Sequence, residues 1–125
     1  MDRIVDLDLA AAEIEHRRAG WAAAGLQAGP TTWRDEAAPW PQPFETDRTR
    51  VQDPDSIGVR IVRAAEAELE ITLFRGAWAD VGFGSEETGW EPVCECPYPQ
   101  NAAEFGAVLD TYVSRAFSTK AVAEE

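Results

Sequence analysis

Residues 56–83 read SIGVRIVRAAEAELEITLFRGAWADVGF, and the odd-numbered positions in this stretch decide the fold. Apolar side chains recur at Ile57, Val59 and Ile61, then at Leu69, Ile71 and Leu73, then at Ala79, Val81 and Phe83. That period of two is the signature of strands with one buried face. Opposite residues of an antiparallel pair share a face, so two odd-numbered partners require an odd loop length. A loop at Arg75-Gly76-Ala77 sets Leu73 against Ala79, Ile71 against Val81 and Leu69 against Phe83, and Gly76 offers the positive φ such loops demand. A second loop at Arg63-Ala64-Ala65 sets Ile61 against Ala67 and Val59 against Leu69. The expected product is a three-stranded antiparallel meander with one apolar face.

The other face of this meander carries Arg60, Glu66, Glu68, Glu70, Thr72, Phe74, Trp78 and Asp80. In the same register Gly58 and Gly82 flank Glu70 on the neighbouring strands, where a missing side chain marks a bulge or a close approach. The face is expected to be acidic and open around Glu70.

Two helices frame the strands. Over residues 6–24, Leu7, Ile14 and Trp21 recur every seven positions and Ala10, Ala11 and Ala24 widen the stripe, with Asp6 or Asp8 to cap the start and Gly25 or Gly29 to end it. Glu13, Glu15, Arg17 and Arg18 form most of the solvated side, with His16 beside it. Over residues 102–117, Phe105, Val108, Leu109, Tyr112, Val113 and Ala116 make a second stripe, and Asn101 with Glu104 has the capping-box spacing. Between them, Pro30, Pro39, Pro41, Pro43 and Pro54 deny residues 26–55 any long regular element, one short strand near Thr31–Arg34 aside. Trp33, Trp40 and Phe44 are expected to pin this stretch as an ordered loop. Residues 90–96 are read as a fourth, edge strand limited by Pro92 and Pro97. The fold class is therefore α+β: a three- to four-stranded antiparallel meander with both helices packed on one face. The 125 residues form one domain, residues 118–125 being expected to fray.

Composition narrows the functions open to such a domain. A hydrophobic fraction of 45% with five tryptophans excludes a mostly disordered chain. The net charge of −12 opposes nucleic-acid and anionic-membrane binding and suits a basic protein partner, although solubility alone explains it equally well. No stretch has the length of a membrane span, and the acidic amino terminus is unlike a signal peptide, so the cytoplasm is the expected location.

Catalysis requires groups of matched proton affinity at short range. The one histidine, His16, has no nucleophile in its sequence context, and no catalytic residue, cofactor site or metal site is expected. Gly82-Phe83-Gly84-Ser85 imitates a dinucleotide loop, but Glu87 stands where the third glycine belongs. Cys94 and Cys96 lack further soft ligands and are read as core thiols. Glu68, Glu70 and Asp80 could form a carboxylate dyad or divalent-cation site, a solvated face being the commoner outcome. Trp78 and Trp90 belong to a residue type enriched at interface hot spots and equally at home in a core. The candidate partner-binding residues are Glu68, Glu70, Phe74, Trp78, Asp80 and Trp90.

An amino-terminal helix, a Pro-rich crossing, a strand entered through Pro54-Asp55-Ser56-Ile57-Gly58-Val59, the hairpin Glu68–Val81 and a final amphipathic helix occur in that order. In this arrangement the chain resembles small immunity proteins of bacterial polymorphic-toxin systems, and most of all the TriTu-like group. The likeness is carried by residues 54–117 and, in the first half, by architecture alone; Arg75-Gly76-Ala77-Trp78 departs from the TriTu pattern. The resemblance implies a non-enzymatic cytoplasmic antitoxin that occludes the active site of a cognate toxin domain, such as an ADP-ribosyltransferase. An acidic secretion chaperone or adaptor for an exported protein is the alternative from another class.

Overall fold

A computed structural model of the chain describes residues 2–118. The order of elements is α1 (Leu7–Ala23), β1 (Gln27–Ala28), β2 (Thr32–Asp35), β3 (Pro54–Arg63), β4 (Ala67–Phe74), β5 (Trp78–Ser85), β6 (Val93–Glu95) and α2 (Ala102–Phe117), with single 3-10 turns at Arg48–Arg50 and Glu86–Thr88. The strands form one antiparallel six-stranded sheet in the order β1-β3-β4-β5-β6, with β2 also pairing β3. The class is α+β, and both helices lie on the same side of the sheet. The sheet is wider than the sequence suggested, because the Pro-rich crossing contributes β1 and β2.

Helix α1 starts at Asp6, whose carboxylate accepts the N–H groups of Asp8 at 2.9 Å and Leu9 at 3.1 Å. These are donors that the first turn leaves without helical partners. It ends where Gly25 takes a φ of +84° and the Leu26 N–H returns to the Trp21 carbonyl, a Schellman-type closure that favours glycine. Leu7, Ala10, Ile14 and Trp21 are buried as the periodicity requires, whereas Ala24, beyond the last turn, is exposed. Helix α2 starts at Asn101, whose side-chain oxygen accepts from the Glu104 N–H at 2.8 Å. The reciprocal bond of the capping box is displaced by one residue, the Glu104 carboxylate accepting from the Gln100 N–H.

The core is continuous between the layers. Ile57, Ile61, Leu69, Ile71 and Leu73 from the sheet meet Ile14, Phe105 and Leu109 from the helices, all essentially inaccessible to solvent. The helices approach closely at Gly106, where a Cβ would stand 2.6 Å from Glu13 Oε1 and 2.8 Å from Arg17 Nη2. The Arg17 guanidinium donates to both Asp110 oxygens, at 2.8 and 3.1 Å, and to Glu13 Oε1 at 2.8 Å. Glu13 and Arg17 therefore lie half-buried at a helix–helix seam and not on the solvated side expected of them.

The second hairpin has the register read from the sequence, Leu73↔Ala79, Ile71↔Val81 and Leu69↔Phe83. Its left-handed residue is Ala77, with φ +79°, and not Gly76. In the first hairpin the loop is Ala64-Ala65-Glu66, Arg63 pairs with Ala67, and Ile61 faces Leu69. The register differs from the expected one by two residues. Such a slip keeps every paired side chain on its expected face, because the period is two. It does change neighbours: Gly58 lies opposite Thr72, and Arg60, not Gly58, lies opposite Glu70.

Candidate functional site

Helices cover one face of the sheet; the even-numbered face of the meander is left uncovered. Four rows of side chains cross it. The first is Arg34, Ser56, Phe74 and Trp78; the second Thr32, Gly58, Thr72 and Asp80; the third Arg60, Glu70, Gly82 and Cys94; the fourth Val62, Glu68 and Gly84. Phe74 and Trp78 stack with ring centroids 5.0 Å apart and planes 17° apart. Arg60 donates to Glu68 Oε1 at 2.7 Å and approaches Glu70 Oε2 at 3.4 Å. The neighbourhood of Glu70 is therefore less open than expected on its β3 side and unfilled on its β5 side, where a Cβ on Gly82 would meet nothing within 4 Å.

Of the candidate partner-binding residues, Glu68, Glu70, Phe74, Trp78 and Asp80 share this face. Trp90 reaches it differently. It lies outside β6, with φ +64°, and its ring carbon Cε3 comes within 3.7 Å of where a Gly84 Cβ would be. It lines a groove of about 220 Å³ with Glu68, Glu70, Gly82, Gly84 and Pro92. The edge strand is shorter than residues 90–96 for the same reason. Glu66, expected on the face, sits in the first hairpin loop.

The cysteines are a correction. Both are exposed free thiols and not core residues. Cys94 pairs with Gly82, so it shares the uncovered face, and the Ala79 N–H bond to the Pro97 carbonyl carries the ladder on, bringing Cys96 level with Asp80.

Trp40 and Phe44, expected to pin the crossing, do not: both are exposed, and only Trp33 is buried. The pin is polar. The buried Asp35 carboxylate accepts the N–H groups of Ala37, Gln52 and Asp53 at 2.9–3.0 Å. These backbone donors, those of Gln52 and Asp53 first, hold its pKa below the usual carboxylate range. The Gln42 side chain exchanges two hydrogen bonds with the Asp35 backbone, and Trp33 and Glu45 exchange two more. Residues 36–44 form an excursion tied at both ends, with a cis peptide at Trp40-Pro41, and they carry Trp40 and Phe44 to the uncovered face. There the Arg34 guanidinium lies 4.4 Å from the Trp40 ring centroid. Phe44 walls a cleft of about 560 Å³ whose lining includes Thr32, Gly58, Arg60, Glu70 and Thr72. Sequence reasoning misses Phe44 as a surface residue because an aromatic among prolines reads as an anchor.

The edge of the sheet is fastened to α2 through Glu95. Its carboxylate accepts from Arg115 at 2.8 and 2.9 Å and from the Tyr112 hydroxyl at 2.5 Å. Arg115 first, then Tyr112, lowers its pKa to about 2.

Among the described residues no three His, Cys, Asp or Glu side chains are grouped so as to hold a metal ion, and no helix is long and apolar enough to cross a membrane. His16 is exposed on α1. The arrangement offers stacked rings, carboxylates and clefts on one face, which are elements of recognition. Searches of protein-family models, of curated proteins and of solved structures find no match to this chain.

Proposed function

We propose that this chain is a cytoplasmic immunity protein that binds a basic effector domain of a polymorphic toxin and blocks it without chemistry of its own. The observation that carries this reading is the uncovered sheet face, where Phe74, Trp78 and Trp90 stand beside Glu68, Glu70 and Asp80. Rigid aromatics within an acidic surround suit a protein partner whose basic surface is steered in by long-range attraction.

The distribution of cations supports the sign of that field. Nine of the ten arginines are engaged in ion pairs within the molecule, and Arg34 is stacked on Trp40. Asp80 has no ion-pair partner among the described residues, and Glu68, Glu70 and Asp80 outnumber Arg34 and Arg60 on this face. The order of elements, like that of the immunity class, supports the same reading; the toxin's chemistry, ADP-ribosylation included, is a property of the partner.

Co-expression provides the test. The chain should restore growth to cells producing the toxin domain encoded beside it, co-purify with that domain and inhibit its activity at one-to-one stoichiometry. Co-purification without inhibition would replace this reading with a carrier or chaperone role, and no complex at all would remove both.

A further inference from the structure

We infer that the cleft between Phe44 and Glu70 is a receptor for one arginine side chain of the basic partner. The inference rests on the reading of the uncovered face as the partner surface and adds the chemistry of its central contact. The Thr32 and Thr72 hydroxyls close over the buried Gly58, where a Cβ would stand 2.9 Å from Thr32 Oγ1, so the cleft has a packed, polar-edged floor at this point. An aliphatic stem has apolar lining to follow at Ala28, Pro30 and Val62. The Phe44 ring, 65% exposed, lines the cleft. So does the Glu70 carboxylate, whose side chain is 62% exposed.

An exposed ring and a carboxylate lining one largely apolar cleft fit a guanidinium better than an ammonium. The guanidinium is planar, stacks on aromatic faces and pairs with a carboxylate through two parallel N–H bonds. The molecule uses this pairing internally: Arg48 lies 5.0 Å from the Trp33 centroid and Arg115 lies 5.3 Å from that of Phe83 while holding Glu95. Phe44 is an exposed ring with no such cation among the described residues. Arg60 also lines the cleft, but its close bond is to Glu68 at 2.7 Å, and it approaches Glu70 only at 3.4 Å. Glu70 thus retains acceptor capacity for a second guanidinium. The chain's net charge of −12 sets the sign of the visitor.

The probe is N-acetyl-arginine amide, followed by backbone amide chemical shifts of the full chain, with N-acetyl-citrulline amide as the neutral isostere. Arginine amide should give saturable shifts centred on Thr32, Gly58, Glu70 and Thr72, with an affinity on the order of millimolar. Citrulline amide should bind about five-fold more weakly or not at all, and Phe44→Leu or Glu70→Gln should each weaken arginine binding by about five-fold. Equal binding of the two probes, shifts centred elsewhere, or indifference to both substitutions would overturn the inference. Those results would leave the immunity role intact, because that role stands or falls on complex formation with the toxin domain. Conversely, arginine amide bound in the cleft of a chain that forms no complex with the toxin domain would support the receptor and remove the immunity role.

Discussion

At the scale of single residues, three side chains lend themselves to direct chemical tests. Glu95 has a folded pKa of about 2 against an ordinary value of 4.5, because Arg115 and Tyr112 hold its ionised form. A depressed pKa contributes stability that is present above the unfolded value and lost as pH falls through the folded one. Glu95→Gln should therefore lower the denaturation midpoint at pH 7, and the gap to the parent protein should close between about pH 4.5 and about pH 2. A gap independent of pH would show that the contact acts through packing and not through charge. Cys94 and Cys96 are exposed, so iodoacetamide should alkylate both in the folded protein, read as two adducts by mass. Protection until denaturant is added would return them to the core. Their exposure follows from the observed register, which the seven-residue connection between β5 and β6 leaves open in the sequence. In antiparallel pairing an even-numbered partner of Gly82 must join the even face, whereas hydrophobicity alone places both thiols inside.

Elements carry the stability, and α2 carries the plainest prediction. Leu109 is fully buried between α2 and the sheet. Truncation to alanine should cost about 2–5 kcal/mol, out of a total on the order of 5–15 kcal/mol. Melting should fall by on the order of 10 °C, while partner affinity measured well below the transition stays unchanged; calorimetry beside a binding isotherm checks both. The same stripe makes α2 legible in the sequence, as Leu7, Ile14 and Trp21 do for α1. The meander is legible because odd positions repeat across three strands. Its first loop lies one residue from the expected place, and its register two, because parity fixes faces and not register, and Ala64, at φ +48°, carries no glycine to mark the turn. The Pro-rich crossing resists most. Its organisation depends on Asp35 reaching Gln52 and Asp53, seventeen and eighteen residues away, and on Gln42, contacts that leave no periodic trace. Trp33 is readable as an anchor, but Trp40 and Phe44 share its composition and not its burial.

The whole molecule is two-sided: two helices cover one face of a six-stranded sheet, and the other carries the acidic and aromatic groups that we propose meet a basic partner. Parity alone places five of the six candidate residues on that face, and Trp90 joins them through a left-handed turn that no alternation encodes. The face can be altered without disturbing the core. Asp80 and Glu70 are exposed, and Glu70 meets Arg60 only at 3.4 Å, an exposed pair worth about 1 kcal/mol or less. Glu70→Lys with Asp80→Lys should therefore leave melting within a few degrees of the parent. The most direct measurement is the association rate constant of this double variant with the toxin domain, at low and at physiological salt. Steering by the acidic face predicts a fall on the order of ten-fold or more at low salt, shrinking as salt screens the field. An association rate unchanged from the parent at both salt concentrations would contradict it.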